Sequence, residues 1–126
     1  MHAIVQSIGS PDLDNDGIAF HEGFESYPYL MQIEVGSSEG EGVGGEVFYV
    51  LVYTLDQLKR ALQAGPMIGR HAVLTAEIDV AETQRFLTRS IEALEASSWL
   101  ELAAKISEIA CSEFEQPGSA GRLSDI

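Results

Sequence analysis

Residues 46–53 read Glu-Val-Phe-Tyr-Val-Leu-Val-Tyr, an almost unbroken apolar run of β-branched and aromatic side chains. A run this short suits a strand better than a helix, and its lack of alternation predicts a strand covered on both faces. Immediately upstream the pattern changes. From Tyr27 to Val35, Tyr29, Met31, Ile33 and Val35 fall on one face, and Gln32 and Glu34 on the other. A period of two predicts a half-buried strand. Between the two lies Gly36 to Gly45 (GSSEGEGVGG), with five glycines in ten residues, so an antiparallel hairpin with a long, flexible loop is expected.

Working outward, His2 to Ile8 is a β-branched run stopped by Gly9-Ser10-Pro11, and residues 12–26 read as an irregular polar loop with isolated aromatics at Phe20 and Phe24. Downstream, Thr54 with Gln57 has capping-box spacing and opens a helix to about Ala64, which Gly65-Pro66 ends. His71 to Ile78 alternates as a further strand. Asp79 with Glu82 opens a helix to about Ala96, striped by Leu87, Ile91 and Leu94. Ser98 with Glu101 opens the last helix, burying Trp99, Leu102, Ala103, Ile106 and Ile109 or Ala110. The predicted fold is α+β: a mainly antiparallel sheet of about four strands with helices packed on one face, in the order β-β-β-α-β-α-α. Residues 1–116 form one domain, and Pro117-Gly118 opens a flexible C-terminal tail over 117–126.

The chain has 126 residues and a net charge of −13, from 20 acidic and 7 basic side chains. Residues 1–58 hold ten Asp and Glu and no Lys or Arg. Such a surface repels phosphate backbones and anionic membranes, which argues against both as partners and leaves a basic protein or simple solubility. The lone Cys111 cannot form an internal disulfide, the N-terminus has no basic signal-like region, and no apolar run approaches a membrane span. A cytoplasmic protein is expected.

Asp12-Leu13-Asp14-Asn15-Asp16-Gly17 matches the first half of a calcium loop, but position twelve would be Gly23 instead of the bidentate Glu. The competing reading is a solvated acidic turn. Cys111 falls late in the last predicted helix among Glu108, Glu113 and Glu115, surroundings that disfavour a thiolate. His2, His21 and His71 are scattered, and no His-x-x-x-His or Cys-x-x-Cys pair supports zinc. His71, after Gly69-Arg70 at the mouth of a strand, is the strongest histidine candidate, against a packing role. The glycines of residues 36–45 lack a phosphate-loop Lys. Tyr27, Tyr29, Tyr49 and Tyr53 lie on neighbouring strands, as core side chains or as anchors for a partner. No catalytic residue, cofactor or metal is nominated. The residues describe a binding protein, not an enzyme.

Taken in order, several short motifs carry a resemblance: Ser10-Pro11-Asp12-Leu13 after the first strand, Glu46 to Val52 after an acidic glycine-rich loop, and Thr54 to Leu58. Gly69-Arg70-His71 follows, then Asp79 before a helix, Ser98-Trp99-Leu100-Glu101-Leu102-Ala103, and Glu113-Phe114-Glu115. Over residues 2–116 the chain resembles the immunity protein 8 family of bacterial polymorphic toxin systems. It departs from that pattern at Leu55, where a Pro is usual, at Ser112, where a Trp is usual, and at Gln116-Pro117, where an Asp-Tyr-like ending is usual. The resemblance implies a cytoplasmic protein, encoded near a toxin, that binds and neutralises its cognate toxin, with no catalytic residues. A nuclease toxin with a basic groove fits the acidity. Asp12, Asp14, Asp16, Glu39, Glu41 and Glu46 are then expected at the toxin-facing surface, with Tyr49 and Tyr53 as anchors. The alternative is a small calcium- or ligand-binding module using the Asp12 to Asp16 loop. A hydrolase would need a pocket that gathers His71 with carboxylates.

Overall fold

The computed structural model describes residues 1–13, 27–40 and 45–114. Its elements are β1 (Ala3–Gly9), β2 (Tyr29–Ser37), β3 (Glu46–Thr54), α1 (Leu55–Leu62), β4 (Ala72–Thr75), α2 (Val80–Glu92), α3 (Trp99–Ile106) and β5 (Cys111–Ser112). The sheet runs β1-β2-β3-β4, with β5 also paired to β3. β1 pairs antiparallel with β2, and β2 with β3, as expected of a hairpin. β4 is parallel to β3, because α1 carries the chain back to the starting end before β4 begins. With β2 on one side of β3, both β4 and β5 occupy the other, β4 along residues 51–54 and β5 along Phe48 and Tyr49.

The alternation in β2 is realised in full: Tyr29, Met31, Ile33 and Val35 are buried. Phe48, Val50 and Val52 of β3 join them on the same face, with Ala3 of β1 and Val73 of β4. Leu87 and Ile91 of α2 and Leu102 and Ile106 of α3 close this core from above. Burial of each such side chain contributes about 1.5–3 kcal/mol, so this one layer is the main source of stability. Trp99 packs at the margin of the core and not at its centre. The other face differs from the expectation for β3. Val47, Tyr49 and Leu51 are only half-buried, so the strand is covered fully on one face alone.

All three helix starts are as predicted, and their chemistry differs. Thr54 and Gln57 form the complete reciprocal box. Asp79 accepts from the Glu82 amide and Ser98 from the Glu101 amide. The glutamates there turn to other partners: Glu82 to Arg85 at 2.9 Å, and Glu101 to the Ser97 hydroxyl at 2.7 Å. The helix ends are earlier than expected. α2 stops at Glu92 because Ala3 donates to the Leu94 carbonyl (3.3 Å) and Ala96 to that of Met1 (3.0 Å), drawing residues 94–96 alongside the N-terminus. α3 stops at Ile106. Ile109 and Ala110 make a turn onto the Ile106 carbonyl, and Cys111, placed late in a helix by sequence, instead opens β5 opposite Tyr49. The strand predicted over His71 to Ile78 is limited to Ala72–Thr75.

One irregularity stiffens the hairpin end. The register of β1 shifts between Val5 and Ser7, leaving Gln6 as an extra, bulged residue. Its side chain lies over Gly36 and Gly45. A Cβ on Gly36 would collide with Gln6 Nε2, and one on Gly45 would sit 2.6 Å from Gln6 Oε1 and 3.0 Å from the Val35 carbonyl oxygen. Gly45 also has φ +68°, where a side chain is strained. Gly45→Ala should therefore cost about 1–3 kcal/mol, lowering Tm by roughly 3–10 °C whether or not Gln6 is also truncated. The three atoms nearest a Cβ at Gly36 all belong to the Gln6 side chain, so adding Gln6→Ala to Gly36→Ala should restore its stability. Thermal denaturation of the two single and two double variants checks this. Equal rescue at both positions would contradict it.

Candidate functional site

The groups that could do chemistry are dispersed or engaged in holding the fold. Asp12 Oδ2 accepts from the Leu30 amide at 2.9 Å, tying the turn after β1 to the start of β2. Asp14, Asp16, Glu22, Gly23 and His21 lie outside the described residues, so the calcium-loop reading keeps only its first ligand position in view, and that carboxylate is already serving as a strand cap. His71 has a left-handed backbone, φ 57°, and its Nε2 lies 2.6 Å from the Ser107 carbonyl. A carbonyl only accepts, so Nε2 carries the proton. Ser107 caps α3, so His71 joins the start of β4 to the negative end of that helix. Among the described residues no group of three or more His, Cys, Asp or Glu is placed to hold a metal.

The acidic and aromatic candidates are divided among different parts of the sheet. Asp12 sits at the start of β2 through its bond to Leu30, whereas Glu39 follows the strand's far end, roughly 23 Å away at about 3.3 Å per residue. Glu39 lies 3.7 Å from the N-terminal ammonium. Glu46 opens β3 opposite Val35, at the same end as Glu39. Glu41 lies outside the described residues. Tyr49 is mid-strand, half-buried, on the face opposite the core, between Gln32 of β2 and Cys111 of β5. Tyr53 has the same parity, yet is 3% exposed and outside the main core cluster, and burial pushes its phenol above its ordinary pKa. Only Tyr49 of the two presents surface. Tyr29, in the core, is likewise raised by burial, beside Thr83 and Asp79.

Three residues near Tyr49 escaped the sequence reading as site candidates: Gln32, Glu34 and Glu113. Gln32 and Glu34 were visible as the polar face of β2, but their position beside Tyr49 and Val47 depends on the pairing register. Glu113 reaches the hairpin end because β5 does. Its amide donates to the Val47 carbonyl (2.9 Å) and its Oε1 accepts from the Val47 amide (3.2 Å). Glu46 and Glu113 are thereby neighbours. Partial burial, then repulsion from Glu113, holds the Glu46 carboxyl above its ordinary pKa.

The basic side chains lie off the strands. Lys59, Arg60, Arg85, Arg89 and Lys105 are on helices and Arg70 is in the loop before β4, while none of the five strands carries a Lys or Arg. No helix is long and apolar enough to cross a membrane among the described residues. Comparison with protein families finds a match to the model described as Immunity protein 8, over residues 5–116. No curated protein and no solved structure matches the chain.

The Glu46 environment has a sign that thermal denaturation can check. A carboxyl that holds its proton more tightly when folded favours folding at low pH, and loses that contribution as pH rises through its raised folded value. At about pH 7 the ionised Glu46 is thus a net cost, and Glu46→Gln should raise Tm there and change it little near pH 4. Solvent screening keeps the gain under about 1 kcal/mol. A lower Tm for the variant at neutral pH would contradict the assignment.

Proposed function

Because the chain belongs to the immunity protein 8 family, we propose that it binds a cognate toxin in the cytoplasm of the cell that makes it and blocks the toxin by occupancy. The family match over residues 5–116 carries the reading, and the charge pattern supports it. A toxin can be stopped by a surface laid across or beside its active groove. That requires no catalytic residue on the inhibitor. It requires affinity, since a catalytic toxin harms the cell at few free copies; a nanomolar Kd corresponds to about −12 kcal/mol. It also requires speed, and a one-signed surface raises the encounter rate with a partner of opposite sign.

The acidity fits a basic toxin, of which a nuclease is one kind. In this reading Asp12, Asp14, Asp16, Glu39, Glu41 and Glu46 supply the attracting field, whether or not each touches the partner, and Tyr49 supplies contact area. The test is growth in a bacterial host. Expression of the toxin domain encoded beside this chain's own gene should arrest growth, co-expression of the chain should restore it, and an unrelated toxin should remain lethal. Persistent arrest with both proteins present in soluble form would overturn the reading.

A further inference from the structure

The register of the sheet decides which side chains share its open face. Leu30 lies beside Leu51, Gln32 beside Tyr49, and Glu34 beside Val47. All six have the opposite parity to Met31, Ile33, Val35, Phe48, Val50 and Val52, which are buried beneath α2 and α3. Gln32 is exposed and the other five are half-buried. The result is an apolar strip centred on an aromatic ring, with a carboxylate and an amide set into it. At the hairpin end it is bordered by Glu113, which is hydrogen-bonded to Val47.

We propose that this open face, with Tyr49 at its centre, is the docking surface, and that its occupant is a Lys- and Arg-bearing face of the toxin. The inference rests on the function proposed above and deepens it. Two physical arguments select this face over the helical one. First, the strands carry no basic side chain, whereas α2 and α3 carry Arg85, Arg89 and Lys105, which a basic partner would meet as like charge. Second, the strip combines what a cationic partner uses best: an aromatic face for guanidinium stacking and nearby carboxylates for bidentate pairing. Tyrosine on a paired strand also loses little conformational freedom on binding.

The size is consistent with a core plus rim. Strand spacing of about 4.8 Å and a rise of about 3.3 Å per residue give the strip roughly 190 Å², about a quarter of what one partner contributes to a standard interface. The remainder falls to its borders, where the acids are. Gln6, bulged over Gly36 and Gly45, fixes the shape of that border before the partner arrives.

The Kd of the full chain for the toxin domain encoded beside its gene, measured by calorimetry, tests the surface. Tyr49→Ala and Gln32→Arg should each weaken binding at least about tenfold. Phe86→Arg on α2 (48% exposed) and Leu100→Arg on α3 (83% exposed) should stay within about twofold of the unmodified chain. Should Tyr49→Ala fail to fold, Gln32→Arg decides the matter, because its side chain is exposed. The reverse pattern, with the helix variants weakened and the sheet variants indifferent, overturns the surface and leaves the function standing. No binding by the unmodified chain overturns both.

Discussion

The pairing of β3 with three other strands is the constraint from which the rest follows. β2 takes one edge along most of its length, and the opposite edge is divided between β4 and β5. β1 reaches the sheet only through β2. Because side chains alternate along a strand, a slip of one residue in β3 would turn Phe48, Val50 and Val52 to solvent and Val47, Tyr49 and Leu51 into the core. The core holds the first set against α2 and α3, so it also dictates the second. The composition of the open face is thus a consequence of packing on the other side of the same strand.

The β1 edge of the sheet is managed by α2 and the segment that follows it. The outer edge of β1 is occupied by side chains and backbone: Glu92 Oε2 accepts from the Val5 amide (2.9 Å), Gln84 donates to the Ile8 carbonyl (3.5 Å), and residues 94–96 pair with the N-terminus. An edge covered in this way is a poor template for another strand. A partner is accordingly expected to meet the face of the sheet and not its β1 edge.

Much of the fold was legible because its signals are local. The alternation of Tyr29 to Val35, the apolar run of β3 and the three N-caps each depend on side chains within a few residues of one another. What was not legible depends on distant partners. No Gly or Pro stands within the ten residues after Ile106, so nothing nearby marks the end of α3; β5 forms because Phe48 and Tyr49 offer a free edge to Cys111 and Ser112. The same holds for the site. Asp12 and Glu39 looked like members of one acidic set, but β2 holds them at opposite ends. Tyr49 and Tyr53 share a parity and differ in burial, which no period of two can distinguish. Gln32 gained its place only from the register that puts it beside Tyr49.

The division of charge between strands without Lys or Arg and helices that carry most of the basic side chains ties fold to function. Partial burial, then the neighbouring Glu113, makes the ionised Glu46 a cost to stability, and a field that attracts a basic partner is what such carboxylates return. The direct measurement is the association rate constant with the toxin domain as ionic strength is raised. Electrostatic attraction predicts a fall of about tenfold or more between roughly 20 and 200 mM salt, with a much smaller change in the dissociation rate. An association rate indifferent to salt would contradict the account.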